Sequence, residues 1–365
     1  LGNHLRNAGY QTGIIGKWHL GMGELFHPQR RGFDYFCGML GGGHGYFPNP
    51  MNNQLERNGE PLRNFSSPYL TDFFTDEAVQ WITGRSQEGE GQKPWFLFLS
   101  YNAPHGPRQA KPDDEALFET IKDPKRRTYA AMVYAMDRGI GRVLSLLDET
   151  NQRDNTLVCF FSDNGGATNN GSWNGSLSGV KGCLKEGGIR VPMIWSWPAK
   201  IPKQSNQTGV VSSLDLLPTF LAATEAKPLP LSPARSHEDP SNRKKIVKQY
   251  GEYDGINLLP LLQGDAAPQR RTLFWRLQGQ AAILDGPDKL IHLSHRAAEM
   301  FQPGTDLAES HNRMGDDPTR AAELYQILGK WQSLLPTVPL WGSSPFWSSQ
   351  SAQHYDQWLP RPEPN

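Results

Sequence analysis

The chain has 365 residues, with 37 Lys and Arg balanced by 37 Asp and Glu. That length supports one large α/β unit plus a smaller subdomain, and the zero net charge lacks the basic excess that nucleic-acid binding uses. Eleven Trp argue against a disordered chain, three Cys without C-x-x-C spacing argue against a disulfide framework or a zinc–thiolate site, and no apolar run reaches the ~18 residues of a membrane span.

Glycine and proline together make up about 18% of the chain, against roughly 12% in average usage, which reads as many ordered loops on a large scaffold. Leu1 to Tyr10 reads as mid-domain sequence, a polar amphipathic stretch ending at Gly9. A short strand follows between Gly9 and Gly21. A helix is predicted after Thr71, with Asp72, Asp76 and Glu77 near its positive N-terminus. The apolar runs Trp95 to Leu99, Thr156 to Phe161 and Val191 to Trp195 are predicted as strands covered on both faces. Between the first two, Tyr129, Val133, Met136, Ile140, Val143, Leu144 and Leu147 recur at three- and four-residue steps, the stripe of a long helix. Asp137, Arg138 and Arg142 fall off that stripe, and Asp137 reads as a solvated face. Another helix starts near Asp215 and Pro218.

Residues 229–249 read as a surface insertion, with Pro230, Pro233 and the basic Arg243-Lys244-Lys245. From about Arg270, three short apolar runs separated by Gly279 and Gly286-Pro287 predict antiparallel strands. A helix with Ala321, Leu324, Leu328, Trp331 and Leu335 on one face follows. The order predicts an α/β fold: a mainly parallel central sheet flanked by helices, with a small C-terminal α+β subdomain. The expected division is 1–268 for the catalytic part, 269–335 for the subdomain and 336–365 for a surface-wrapping tail. In such sheets ligands bind on loops beyond the strand C-termini.

Four loops there carry chemistry. Ser162-Asp163-Asn164-Gly165-Gly166 ends the second apolar run, and its carboxylate and amide are hard oxygen donors suited to Ca²⁺ or Mg²⁺. Taken alone it equally suits a strand-ending turn. Asn102-Ala103-Pro104-His105-Gly106-Pro107 follows the first run, and its prolines stiffen the backbone around His105. A surface turn with an incidental His is the plain alternative. Gly16-Lys17-Trp18-His19 ends the first short strand. Its two-residue spacing puts Lys17 and His19 on one face of extended backbone, a pairing suited to an anionic reaction centre. Before the third run, Gly179-Val180-Lys181-Gly182 lets Lys181 approach a ligand closely, while Lys185, Glu186 and Arg190 equally suit a surface ion network. Cys183 reads as inert. The run Gly41-Gly42-Gly43-His44 lacks the P-loop pattern and reads as a flexible rim loop in which His44 can touch substrate.

As a set these motifs resemble a known family. The order Gly-Tyr-x-Thr-x-x-x-Gly-Lys-Trp-His, Asn-Ala-Pro-His-x-Pro, Ser-Asp-Asn-Gly-Gly, Lys-x-x-x-x-Glu-Gly-Gly-Ile-Arg-Val-Pro is similar to that of the type I, formylglycine-dependent sulfatases, the arylsulfatase-like branch of the alkaline phosphatase superfamily. The likeness runs from about residue 3 to residue 335. One departure stands out. Members carry, upstream of Lys-Trp-His, a Cys (or Ser)-x-Pro-Ser-Arg signature and a pair of metal-binding Asp residues, and none of Cys37, Cys159 and Cys183 heads such a signature. The resemblance implies that the nucleophile, its Arg and two metal ligands lie in a missing N-terminal segment, which leaves this chain inactive alone.

The resemblance implies a sulfuric ester hydrolase that cleaves a sulfate ester to alcohol and sulfate. The hydrated formylglycine attacks sulfur, the alcohol leaves, and the second geminal hydroxyl loses its proton as sulfate is eliminated. Lys17 and His19 match positions that hold the formylglycine and assist elimination. His105 and Lys181 match positions that clamp the sulfate and protonate the leaving oxygen. Asp163 and Asn164 match half of a Ca²⁺ site, with Mg²⁺ as a second candidate. The implied partner is a sulfated small molecule or glycan, with the loops His44 to Asn58, Arg108 to Glu119 and Thr168 to Ser178 setting the choice. The implied setting is exported (periplasmic or secreted) or lysosomal. Two alternatives stay open at this level: an inactive sulfatase-like glycan-binding protein, and a phosphoesterase of the same superfamily.

Overall fold

The computed structural model describes residues 1–47, 49, 54–63, 67–86, 93–203, 205–229, 253–294 and 296–335. The expected insertion beyond Leu229 and the tail from Pro336 lie outside the described residues. In chain order the elements are α1 (Gly2–Asn7), β1 (Gln11–Lys17), β2 (Tyr35–Met39), β3 (Leu55–Arg57), β4 (Glu60–Pro61), α2 (Leu70–Ser86), β5 (Trp95–Ser100), α3 (Pro112–Ala116) and α4 (Pro124–Glu149). Then come β6 (Val158–Phe161), α5 (Glu186–Ile189), β7 (Met193–Ser196), α6 (Leu216–Ala223) and α7 (Leu259–Gln263). The C-terminal part holds β8 (Thr272–Leu277), β9 (Gln280–Asp285), β10 (Asp288–Leu293), β11 (Glu299–Phe301) and α8 (Pro318–Ser333).

The chain divides into two compact units. The first takes Leu1–Val158, Ser196–Ser205 and Val211–Ala266; the second takes Cys159–Trp195, Asn206–Val210 and the residues from Ala267 on. The second unit thus takes in 159–195, the stretch with the Asp163 and Lys181 loops.

The first unit is built on the sheet β4-β3-β2-β1-β5. β1 is its centre and pairs in parallel with β2 and β5, Gly13 opposite both Tyr35 and Leu97. β3 and β4 extend one edge in antiparallel fashion. The five central residues of β1 are buried, as expected of a strand with helices on its faces. Phe73, Phe74, Trp81 and Ile82 of α2 pack with Met132 and Ala135 of α4 in the same cluster, each fully buried Phe contributing roughly 1.5–3 kcal/mol.

The long helix α4 forms as its periodicity predicts, but the buried face is offset. Ala131, Met132, Ala135 and Gly139 are its buried residues besides Leu147, and Tyr129, Val133 and Ile140 are only half-buried. The reason is close approach. A Cβ on Gly139 would lie 2.4 Å from Thr75 Oγ1 and 2.8 Å from the Tyr101 hydroxyl, so the contact line is made of small residues and the large ones flank it. The acidic start of α2 also serves a different end. Asp72 pairs with Lys111 (2.5 Å) and Arg138 (3.0 Å), and Glu77 is buried against Arg57 and the Tyr35 hydroxyl.

In the second unit, β8 to β11 form an antiparallel sheet in the order β11-β10-β9-β8. One face buries Ala281, Ile283, Leu290 and Met300 against Ala321, Leu324 and Leu328 of α8, and Trp331 stacks on Phe274 at 4.9 Å. β6 and β7 pair with one another. The expectation of strands covered on both faces does not hold for the three apolar runs. Phe98 on β5 is 39% exposed and Ile194 on β7 is 61% exposed.

Candidate functional site

Lys17 is the last residue of β1, placed by pairing with Met39 of β2. The chain continues beside β2 for two more residues, Trp18 N–H donating to Met39 O (2.9 Å) and His19 N–H to Leu40 O (3.1 Å). Trp18 is the anchor. Its ring is buried edge-on to Phe33, and its indole N–H donates to Phe26 O at 2.9 Å. His19 has φ +55, a left-handed conformation. The argument that Lys17 and His19 share a face of extended backbone therefore fails, because the strand ends between them.

The glycine run places the imidazoles. A Cβ on Gly42 would fall 2.5 Å from His19 Nε2, and one on Gly43 would lie 3.7 Å from the His105 ring. Two consecutive glycines thus back two histidines 86 positions apart in sequence. Within the expected rim loop, Gly42 makes the close approach, and Gly41 and Gly43 have ordinary contacts only. His44 points one ring nitrogen at Gly45 O (2.6 Å), which makes Nδ1 the donor and leaves Nε2 buried without a hydrogen-bond partner.

His105 is exposed on a loop whose peptides before Pro104 and Pro107 are cis. The fully buried Tyr46 holds that loop: its hydroxyl lies 2.9 Å from both Asn102 O and His105 O, and its N–H donates to Gln109 Oε1 (2.8 Å). Burial pushes the Tyr46 hydroxyl far above its ordinary value, so it stays a donor. Asn102 is 3% exposed, with both side-chain polar atoms unpartnered. Sequence reading gave no role to Tyr46, since an aromatic beside glycines carries no chemical signature of its own, and named Asn102 only as part of its motif.

In the second unit the Asp163 and Lys181 loops are laced together. Gly165 N–H donates to Gly188 O (3.0 Å) and Lys181 N–H to Gly166 O (3.1 Å). A Cβ on Gly165 would lie 1.8 Å from Gly187 O, so only glycine permits this contact. Asn174 clamps the pair, accepting from Gly166 N–H (2.8 Å) and donating to Gly166 O and Gly179 O (3.1 Å each). Asp163 is exposed and Lys181 half-buried; neither side chain makes an ion pair among the described residues.

Asn164 Nδ2 donates to Gly165 O (3.0 Å), which leaves its Oδ1 as a hard oxygen next to the Asp163 carboxylate. That donor chemistry fits Ca²⁺ or Mg²⁺, with at most three of the ~6–8 oxygens that Ca²⁺ takes. Among the described residues no group of three or more His, Cys, Asp or Glu gathers as a metal site. Of the ion network expected around Lys185, Glu186 and Arg190, Glu186 and Arg190 pair at 3.6 Å, but Lys185 and Glu186 are buried, and Glu186 pairs with Lys289 at 2.7 Å. All three thiols are pushed up by burial, Cys37 and Cys159 to about 12, so none is a thiolate at neutral pH.

Strand ends and the loops beyond them carry Lys17, His19 and His105 in the first unit and Asp163, Asn164 and Lys181 in the second. The sulfatase family model matches residues 1–226. The chain belongs to the sulfatase family. It is 31% identical over 284 residues to the uncharacterized sulfatase YdeN of Escherichia coli K12, covering 71% of this chain and 46% of that protein. It is 30% identical over 331 residues to human N-acetylgalactosamine-6-sulfatase, covering 85% of this chain and 57% of that protein. The chain thus spans about half the length of these curated relatives. The crystal structure of Ps i-CgsB in complex with k-i-k-neocarrahexaose is similar at a TM-score of 0.82 and 32% identity, covering 98% of this chain and 78% of that one.

Proposed function

We propose that the protein carrying this chain hydrolyses the sulfate ester of a sulfated saccharide, releasing alcohol and sulfate. The observation that supports this most directly is the backing of His19 and His105 by Gly42 and Gly43 in a chain of this family. A sulfate ester spreads negative charge over its oxygens, and fixed donors at those oxygens stabilise the charge that develops on cleavage. Lys17 and His19 hold the nucleophile's position and move a proton there during elimination. His105 and Lys181 donate to the sulfate oxygens, and His105 passes a proton to the leaving alcohol. Asp163 and Asn164 would hold a Ca²⁺ ion, which when bound polarises the sulfate. Family membership favours this reading over the binding-only and phosphoesterase alternatives.

The saccharide class rests on the relatives. One bears the name N-acetylgalactosamine-6-sulfatase, and one solved structure holds a neocarrahexaose. The loops around His44, Arg108 to Glu119 and Thr168 to Ser178 set the choice among such substrates. An exported or lysosomal setting belongs to the same proposal; among the described residues no helix is long and apolar enough to cross a membrane. The test is turnover of sulfated oligosaccharides by a protein that includes the family's Cys/Ser-x-Pro-Ser-Arg segment. Sulfate release that disappears in Lys17→Ala and His105→Ala supports the proposal, and no release from any sulfated sugar or aryl sulfate overturns it.

A further inference from the structure

The loop that carries Lys181 is tied to the C-terminal sheet by buried charge. Lys289 on β10 is fully buried, and its ammonium lies 2.7 Å from Glu186 Oε1 and 2.9 Å from Glu309 Oε1. The second Glu309 oxygen accepts the Ser178 hydroxyl (2.9 Å) and the Glu186 backbone N–H (2.7 Å). Glu309 is 1% exposed and sits at φ +47, a conformation that non-glycine residues rarely adopt. Its Oε1 faces Lys289 without a well-aligned hydrogen bond, so that contact is Coulombic.

Such a cluster is a poor source of stability. Desolvating the charges offsets most of their attraction, and apolar residues of the same volume would serve a core as well. Its geometry suggests a different use. Ser178 and Glu186 stand at the two ends of the stretch that includes Lys181, and the Glu309 carboxylate bonds to both, beside the Gly187 N–H to Ser178 O bond (2.6 Å). From Glu186 the next two residues lead to Gly188, whose carbonyl takes the Gly165 N–H beside Asp163 and Asn164. One carboxylate from a distant turn therefore braces both functional loops of the second unit.

We propose that Glu309 is a positioning residue, with Lys289 as its counter-charge, that fixes the 178–188 loop so that Lys181 presents its ammonium to the sulfate. This rests on the reading of Lys181 as a sulfate clamp. It goes beyond that reading by placing the control of the clamp on the C-terminal sheet. Removing the acceptor leaves the Ser178 hydroxyl and the Glu186 N–H buried and unpaired, and the loop then opens to find water.

The test is amide hydrogen exchange on the 365-residue chain, read beside kinetics in a nucleophile-bearing protein. In Glu309→Ala, exchange across 178–188 rises roughly tenfold or more while β9 and β10 keep their protection. Glu309→Gln keeps a carbonyl oxygen for the two donors, so it restores most of that protection and most of kcat. A general loss of stability would instead raise exchange throughout the second unit and would not be rescued by Gln. If Glu309→Ala fails to fold, Ser178→Ala, which removes one bond and no charge, must still loosen 178–188. Unchanged loop exchange in a folded Glu309→Ala or Ser178→Ala overturns the proposal. So does unchanged kcat in those variants while the parent turns over. A parent with no turnover, but with a loop that loosens as expected, sinks the sulfatase reading and leaves the brace standing.

Discussion

Gly42 lies so close to His19 that a Cβ on the glycine would stand 2.5 Å from Nε2 of the imidazole. The contact is with the far end of a side chain, so a methyl group there displaces the ring, not the backbone. Gly42→Ala is therefore expected to keep the fold, with its melting temperature within a few degrees of the parent. Turnover in a nucleophile-bearing protein should fall by about tenfold or more, since a misplaced proton-transfer group costs that much. Gly41→Ala, whose Cβ would meet nothing nearer than 3.9 Å, is the control. Equal effects in both would show that the loop, and not the His19 contact, is at stake.

That contact shows where sequence reading stops. The motif order identified the family, the acidic residues after Thr71 marked α2, and the placement of apolar residues marked α4, α8 and the antiparallel strands β8 to β10. These signals are local, so one stretch of chain contains them. The His19–Gly42 and Ser178–Glu309 contacts join residues 23 and 131 positions apart, and no periodicity encodes such pairings. The offset face of α4 was hidden for a related reason. A hydrophobic stripe marks where large side chains fall, whereas the tightest packing there is made by Ala131, Ala135 and Gly139. Composition also misled at Gly42, where glycine serves close approach to His19.

Asp285 supplies a prediction about pH. Burial alone would raise its carboxyl, but hydrogen bonds from Thr272 (2.6 Å), Arg320 and Arg270 (2.7 Å) outweigh burial and hold it at about 2, below the ordinary 3.8. A depressed carboxyl stabilises the fold above its unfolded value and loses that contribution as pH falls through the folded one. Asp285→Asn should therefore cost about 1–2 kcal/mol at pH 7, allowing for solvent screening of the partly exposed partners. The gap to the parent should narrow below about pH 4. Urea unfolding of both proteins from pH 7 to pH 3 checks this, and a gap that stays constant would remove Asp285 from the acid-sensitive groups.

Among these 365 residues no Cys heads the family's signature, and the three thiols are held protonated by burial. The chain by itself is thus expected to give no turnover of a chromogenic aryl sulfate above a Lys17→Ala control. Divalent-metal binding should be weak too, because Asp163 and Asn164 supply at most three oxygens where Ca²⁺ takes about 6–8. Calorimetry showing tight, stoichiometric Ca²⁺ in this chain would contradict the half-site assignment, and Asp163→Ala in a nucleophile-bearing protein should lower its metal content.

Lys181 and His105 are expected to act on the sulfate in different ways. Glu186, the partner that a surface ion pair with Lys181 would need, is already engaged by Lys289 within the buried cluster. With Lys181 as the proposed sulfate clamp, Lys181→Ala should lower turnover by about 10²–10³, as the loss of one preorganised donor commonly does. A folded Lys181→Ala protein with near-parent turnover would remove the clamp role. His105 is exposed on a loop held by Tyr46, and in the proposed mechanism it passes a proton to the leaving alcohol. A sulfate ester with a poor leaving group needs that proton most, whereas a nitrophenolate leaves without it. His105→Ala should therefore lose more rate on sulfated sugars than on nitrophenyl sulfate. Equal losses on both would make His105 a binding residue, because a group that only holds the sulfate contributes the same to either substrate.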